Sequence, residues 1–328
     1  MPPAQMAAGE AAHVAIAARS VGPAAGGGGD LVERRLLLRG GPVRLVEGGT
    51  GPTVLFLHGF ADSLNTWRLL MPRLAARHHV IALDLPGFGE SAATARRPML
   101  PSHVAAVSEL VRRRAHGEPV TLVGNSMGGA VALHYAVTHP DAVDRLVLIG
   151  CAGLARGVPL WWRVLTTPAP LQMILSPAAG LAPPGLVELI VARVYSTLAF
   201  HDASRVDPDS VAGFSRFYRN RDDVVRLFAL ARDLVAELDG RLLDLVGELR
   251  MPTLLLWGRQ DRFVPVDHAL ALQRLLHRSR LHVIEDCGHC PQLELPDVVG
   301  AMLEEFLAAR RGQPRRGGTG TTPTRRAG

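Results

Sequence analysis

Short apolar runs alternate along the chain with longer stretches whose apolar residues recur every three or four positions. Val32–Leu38 and Val43–Glu47 read as two strands joined by a turn at Arg39-Gly40-Gly41-Pro42. Thr53–Leu57, His79–Asp84, Val120–Gly124, Leu146–Gly150, Thr253–Gly258 and Arg280–Glu285 read as further strands. Helical spacing predicts helices near Thr66–Ala76, Ser102–His116, Gly128–Thr138, Val266–Leu276 and Asp297–Ala309. This alternation predicts an α/β fold: a mostly parallel central sheet flanked by helices on both faces. Parallel strands are buried on both sides, which accounts for unbroken apolar runs such as TVLFL and PTLLLW.

Residues 151–250 break the rhythm. They are Pro-rich at first (Pro159, Pro168, Pro170, Pro177, Pro183, Pro184) and helical afterwards. They hold Trp161, Trp162, Tyr195, Phe200, Phe214, Phe217, Tyr218 and Phe228, half of the 4 Trp, 3 Tyr and 9 Phe in the chain. Compact domains rarely tolerate a structureless loop of that length. The segment is therefore expected to be a helical cap, inserted between core segments 31–150 and 251–310. Trp161, Trp162 and Phe217 are candidates for lining an apolar pocket, with packing inside the cap as the alternative. Residues 1–30, rich in Ala, Gly and Pro, are expected to form a flexible arm, and residues 311–328 a disordered basic tail.

Charge narrows the range of partners. The net charge is +6, but Arg311, Arg315, Arg316, Arg325 and Arg326 all lie in the tail, and the chain has no lysine. The body is near neutral, so no nucleic-acid partner is expected. No apolar run matches the roughly 20 residues of a membrane-spanning helix. The opening MPPAQMAAGEAAHVAIAARS lacks the charged and apolar regions of a signal peptide. Cys151, Cys287 and Cys290 are too few for a disulfide framework, so the reducing cytoplasm is the expected location.

The candidate chemistry starts at Gly124-Asn125-Ser126-Met127-Gly128, where a strand turns directly into a helix. Side chains two residues either side of Ser126 would collide on so tight a turn, so Gly124 and Gly128 are required there. The helix N-terminus beside the hydroxyl favours negative charge. A serine hydroxyl needs a base, and the base needs a partner that holds its tautomer. His289 lies beyond the strand Arg280–Glu285, and Asp261 beyond Thr253–Gly258, at the sheet edge where open α/β folds collect ligands. Glu285 and Asp286 are alternative acids, but they neighbour His289 on its own loop. The backbone N–H groups of Met127 and Phe60, the latter in His58-Gly59-Phe60-Ala61-Asp62, are the expected oxyanion donors.

Other features are read as structural. Cys287-Gly288-His289-Cys290 has no second Cys/His pair at matching spacing, so no metal is expected, and no cofactor. His58 is expected to bond loop backbone, and Arg112-Arg113-Arg114 to form a solvated helix end.

The segments LFLHGFADSLNTW, IALDLPGFGES, LVGNSMGGAVALHYA, LLLWGRQDRFVP and EDCGHCPQLELP together resemble the α/β-hydrolase fold family over about residues 31–310. The resemblance implies a Ser126–His289–Asp261 triad acting through an acyl-enzyme. A serine nucleophile separates the chain from epoxide hydrolases and haloalkane dehalogenases, which place aspartate there. GNSMGG looks like the elbow of carboxylesterases, monoacylglycerol-lipase-like proteins and meta-cleavage-product hydrolases, the last of which split carbon–carbon bonds. That last group usually has tryptophan after the histidine, where this chain has Cys290, and a Gly- and Pro-rich oxyanion loop, where it has HGFADS. It also implies a cap arginine, for which Arg163, Arg193, Arg216 and Arg219 are candidates. The resemblance therefore implies a small-molecule ester with an apolar acyl or alcohol part as substrate. A carbon–carbon hydrolase, an acyltransferase on the same triad and a non-enzymatic relative are the alternatives.

Overall fold

A computed structural model of the chain describes residues 16–21, 30–91, 98–153, 183–238 and 242–309. Among the described residues there are nine strands: β1 (Ile16–Val21), β2 (Leu31–Leu38), β3 (Gly41–Gly48), β4 (Thr53–Leu57), β5 (His79–Leu83), β6 (Val120–Asn125), β7 (Val143–Ile149), β8 (Thr253–Gly258) and β9 (Ser279–Ile284). They form one sheet in the order β1-β2-β3-β5-β4-β6-β7-β8-β9. The pairs β1–β2, β2–β3 and β3–β5 are antiparallel, and every other pair is parallel. The expected α/β architecture is thus present, with an antiparallel edge.

Strand alternation divides the apolar runs between two cores. Leu55, Leu57, Leu122, Leu146, Leu148, Leu255 and Trp257 enter the core on one face. Their neighbours Val54, Phe56, Val123, Val147, Ile149, Leu254 and Leu256 enter the core on the other. Each fully buried side chain of this kind contributes about 1.5–3 kcal/mol. Helices α2 (Met99–Arg114) and α3 (Met127–Thr138) cover the first face, together with α8 (Val266–Leu275). Helices α1 (Met71–Ala75) and α9 (Pro296–Ala308) cover the second.

Three elements differ from the sequence reading. The helix expected over Thr66–Ala76 is a 3-10 turn at Leu64–Trp67 followed by the short α1. Pro72 lacks an amide donor and sits at the start of α1, where that loss is harmless. Helix α2 starts three residues earlier than expected, because Glu237 accepts from the N–H of Met99 and Leu100 at 2.5 and 2.6 Å. Within the stretch expected to be a flexible arm, Ile16–Val21 pairs with β2 as an edge strand. An unpaired strand edge offers a row of backbone donors and acceptors that a nearby segment can satisfy.

Between β7 and β8 the described residues form α4 (Pro184–Ala199), α5 (Pro208–Ser215), α6 (Arg221–Glu237) and α7 (Leu243–Val246). This insert contacts the loops beyond the carboxyl ends of the strands. Tyr218 Oη donates to Ala61 O after β4 (2.8 Å), and Arg226 Nη2 donates to Gly87 O after β5 (3.1 Å). Trp161, Trp162, Arg163 and the expected C-terminal tail lie outside the described residues. No described helix is long and apolar enough to cross a membrane.

Candidate functional site

Parallel pairing puts the ends of β4, β6, β7, β8 and β9 at one edge of the sheet: Leu57 beside Gly124, Asn125 beside Ile149, and Gly258 beside Ile284. Ser126 follows β6 and opens α3. Its backbone lies at φ 53°, ψ −115°, outside the regions open to ordinary residues, at a cost of about 1–3 kcal/mol. The bond from Ser126 N–H to Ile149 O (2.9 Å) helps hold it there. A Cβ on Gly124 would lie 2.4 Å from Gly128 O, and one on Gly128 2.1 Å from Leu57 O. Both elbow glycines therefore answer to close backbone approach.

His289 and Asp261, 28 residues apart, meet in a buried hydrogen bond of 2.7 Å from Nδ1 to Oδ2. A carboxylate only accepts, so Nδ1 carries the hydrogen, and Nε2 of the neutral ring is left as the basic atom. The second carboxylate oxygen accepts from the N–H groups of Phe263 and Val264, both at 2.8 Å. The loop is fixed further by Trp257 Nε1, which donates to Val264 O at 2.8 Å. Gly150 lies against the pair, and a Cβ there would come within 3.0 Å of His289 Nδ1 and 3.1 Å of Asp261 Oδ2. The alternative acids are placed differently: Glu285 pairs with Arg259 at 2.9 Å, and Asp286 is an exposed neighbour of His201.

The loop after β4 comes up against the elbow. A Cβ on Gly59 would lie 3.4 Å from Ser126 Cβ. Phe60, in the same loop, packs edge-on against Phe88, with ring centroids 5.5 Å apart. Met127 is fully buried at the first turn of α3. His58 is buried, and both its nitrogens are occupied: Leu85 N–H donates to Nε2 (2.9 Å), so Nδ1 is the donor to Gly59 O (2.8 Å). Burial holds it neutral, with its pKa lowered to about 4. Phe217 is half-buried and packs against the Ala61, Phe214 and Tyr218 cluster, with the Arg216 guanidinium 4.8 Å above its ring.

Several further functional candidates were given no role from the sequence. Asn125 Nδ2 donates to both Ile149 O (3.1 Å) and His289 O (3.2 Å), joining the residue before Ser126 to the loop of His289. Cys290 Sγ lies 3.9 Å from Asn125 Oδ1 and 3.7 Å from Tyr195 Oη, and burial pushes its thiol well above its ordinary pKa. Asp62 is buried beside the same groups, and desolvation raises its pKa to about 7. Glu294 binds backbone on either side of the insert boundary. All four lie inside segments quoted from the sequence, but their contacts with residues distant in the chain follow no spacing, so only spatial neighbours reveal those contacts. Among the described residues, no group of three or more His, Cys, Asp or Glu could hold a metal ion.

Comparison with known proteins identifies the fold family. The family model of the alpha/beta hydrolase fold matches residues 52–296. A 2-hydroxy-6-oxo-6-phenylhexa-2,4-dienoate hydrolase of Burkholderia cepacia is 30% identical over 275 residues, covering 81% of this chain and 91% of that protein. The solved 2-hydroxy-6-oxo-6-phenylhexa-2,4-dienoate hydrolase from Rhodococcus sp. strain RHA1 has a TM-score of 0.69 at 27% identity, covering 86% of this chain and all (100%) of that one. A bacterial membrane phospholipase A described as a virulence factor has a TM-score of 0.66 at 29% identity, covering 84% and 86% of the two chains.

Proposed function

The chain belongs to the α/β-hydrolase family, and on that premise we propose that it hydrolyses carboxylic esters with an apolar acyl or alcohol part, using Ser126 as nucleophile. The observation that carries the reading is the buried 2.7 Å bond between His289 and Asp261, at the sheet edge that also bears the strained Ser126. His289 Nε2 takes the hydroxyl proton as Ser126 Oγ attacks the ester carbonyl. The Asp261 carboxylate stabilises the imidazolium that forms. The N–H groups of Phe60 and Met127 receive the oxyanion, each donor contributing about 3–4 kcal/mol. His289 returns its proton to the leaving alkoxide, which departs as the alcohol. It then takes a proton from the water that attacks the acyl-enzyme carbonyl and gives it to Ser126 Oγ as the acyl bond breaks, releasing the acid and restoring the serine hydroxyl. Helices α4–α7 serve as a cap whose apolar residues receive the substrate.

The second reading is carbon–carbon bond hydrolysis, favoured by the Burkholderia cepacia relative. A dienoate substrate carries a carboxylate that calls for a cation. Among the described candidate cap arginines, Arg216 pairs with Glu90 at 2.9 Å, Arg219 with Glu188 at 3.4 Å, and Arg193 is exposed, while Arg163 lies outside the described residues. An ester with apolar parts makes no such demand, and the aromatic cluster around Phe214 and Tyr218 suits it. Acyl transfer to an alcohol uses the same groups and differs only in what reaches the acyl-enzyme.

The test is turnover of p-nitrophenyl esters from acetyl to palmitoyl by the wild type and Ser126→Ala. Turnover that disappears in the variant supports the reading, and the chain-length profile sizes the acyl site. A folded wild type inert on the series but active on a vinylogous diketone acid overturns it in favour of the second reading.

A further inference from the structure

We propose that Glu294 is a positioning residue that ties the His289 loop to the end of helix α4, so that docking of the insert sets the position of the imidazole. The inference rests on reading His289 as the catalytic base.

Glu294 is 2% exposed; its carboxylate accepts from three backbone amides and also meets the Cys287 thiol. Oε1 accepts from Asp202 N–H at 2.8 Å. Oε2 accepts from His201 N–H at 3.2 Å and Gly288 N–H at 2.8 Å. Two of these donors belong to the insert, and the third immediately precedes His289. Burying a carboxylate is costly unless its lone pairs are met. Here they are met by amides from two segments, and separating those segments would strand the charge.

Two further contacts show how tight the junction is. His289 N–H donates to Ala199 O at 2.7 Å, bonding the histidine's own backbone to the last residue of α4. A Cβ on Gly288 would lie 2.5 Å from Ala199 O and 2.7 Å from His201 N, so the two backbones touch with no room for a side chain. On the opposite side, Asn125 Nδ2 holds His289 O. The histidine backbone is thus gripped between the elbow and the insert, and Glu294 closes the grip on the insert side.

Glutamine at this position cannot reproduce the clamp. It has one oxygen, and its amide group would face either Asp202 N–H or both His201 and Gly288 N–H, donor against donor. Small displacements of a catalytic group lower turnover far more than binding.

The experiment compares Glu294→Gln with Arg68→Ala, which loosens the insert elsewhere by removing the Arg68 contacts to Asp207 and Ser210. Proton NMR of the His289 Nδ1–H and amide exchange across residues 286–290 need no substrate. Turnover of p-nitrophenyl butyrate supplies kcat and KM. The expected result for Glu294→Gln is a broadened Nδ1–H resonance, faster exchange, a kcat lowered about tenfold or more and a KM within about twofold. Arg68→Ala is expected to keep the resonance and its kcat. An unchanged resonance and unchanged exchange in folded Glu294→Gln overturn the inference, as does an equal kcat loss in Arg68→Ala. If Glu294→Gln does not fold, Glu294→Asp, whose shorter reach loosens the same clamp, is read by the same criteria. If the wild type turns over no ester, the proposed function fails, while the resonance and exchange still decide whether Glu294 positions the loop.

Discussion

Asp261→Asn tests the proposed chemistry without disturbing the fold. In the wild type, one carboxylate oxygen faces His289 Nδ1 and the other accepts from Phe263 and Val264 N–H. Asparagine has one oxygen and one NH2 group to share between those two sides. Two backbone donors at 2.8 Å hold the oxygen on their side, so the NH2 faces His289. It then donates to Nδ1, which must give up its hydrogen, and the ring proton moves to Nε2. An imidazole protonated at Nε2 cannot take the proton of Ser126. The expected loss in kcat is about 10⁴-fold, or roughly 5.5 kcal/mol of barrier. Stability should change little, because both backbone amides keep their acceptor. Asp261→Ala differs in that respect: it leaves two amides in a buried site unpaired, at about 1–3 kcal/mol each. The assay is kcat on p-nitrophenyl butyrate together with urea unfolding of all three proteins. An Asp261→Asn variant that keeps a tenth or more of wild-type turnover refutes the tautomer argument and the role given to Asp261.

Three other outcomes are expected. Gly128→Ala should lose about 1–3 kcal/mol or more, since its Cβ would overlap Leu57 O; a melting temperature equal to the wild type's would contradict that. Asp62→Asn should show a pH-dependent stability gain. Burial raises the Asp62 pKa to about 7, so the folded state keeps a proton that the unfolded chain gives up near pH 3.9. The resulting penalty is absent below the unfolded pKa, grows as pH rises towards 7 and then levels at about 4 kcal/mol. The variant should therefore gain most at pH 8 and converge with the wild type near pH 4, and a gain of equal size at both values would refute the argument. Asn125→Ala should lower kcat more than KM, because it frees His289 O and removes one of the two donors to Ile149 O; steady-state kinetics showing the reverse split would assign Asn125 to substrate binding instead.

The alternation of apolar runs determined the α/β architecture, because buried parallel strands and their covering helices follow two different periods. The same alternation sorts Leu55 and Phe56 to opposite cores without reference to anything distant. The elbow was legible for a local reason too: Gly124, Ser126 and Gly128 meet within one turn. The start of α2 was not, because its cap is Glu237 from another part of the chain. Nor was the pairing of Ile16–Val21, which depends on the edge that β2 leaves open. Asp261 could be placed at the right sheet edge from strand order, but its choice over Asp286 is a matter of direction. One carboxylate turns inward to His289 and the other outward to His201, and no spacing encodes that. Asn125, Asp62 and Glu294 became visible only in three dimensions. Asn125 and Glu294 bond backbone atoms that sequence patterns do not distinguish and that come together only in the folded chain, whereas Asp62 bonds its neighbour Ser63 N–H and owes its setting to burial beside Cys290 and Tyr195.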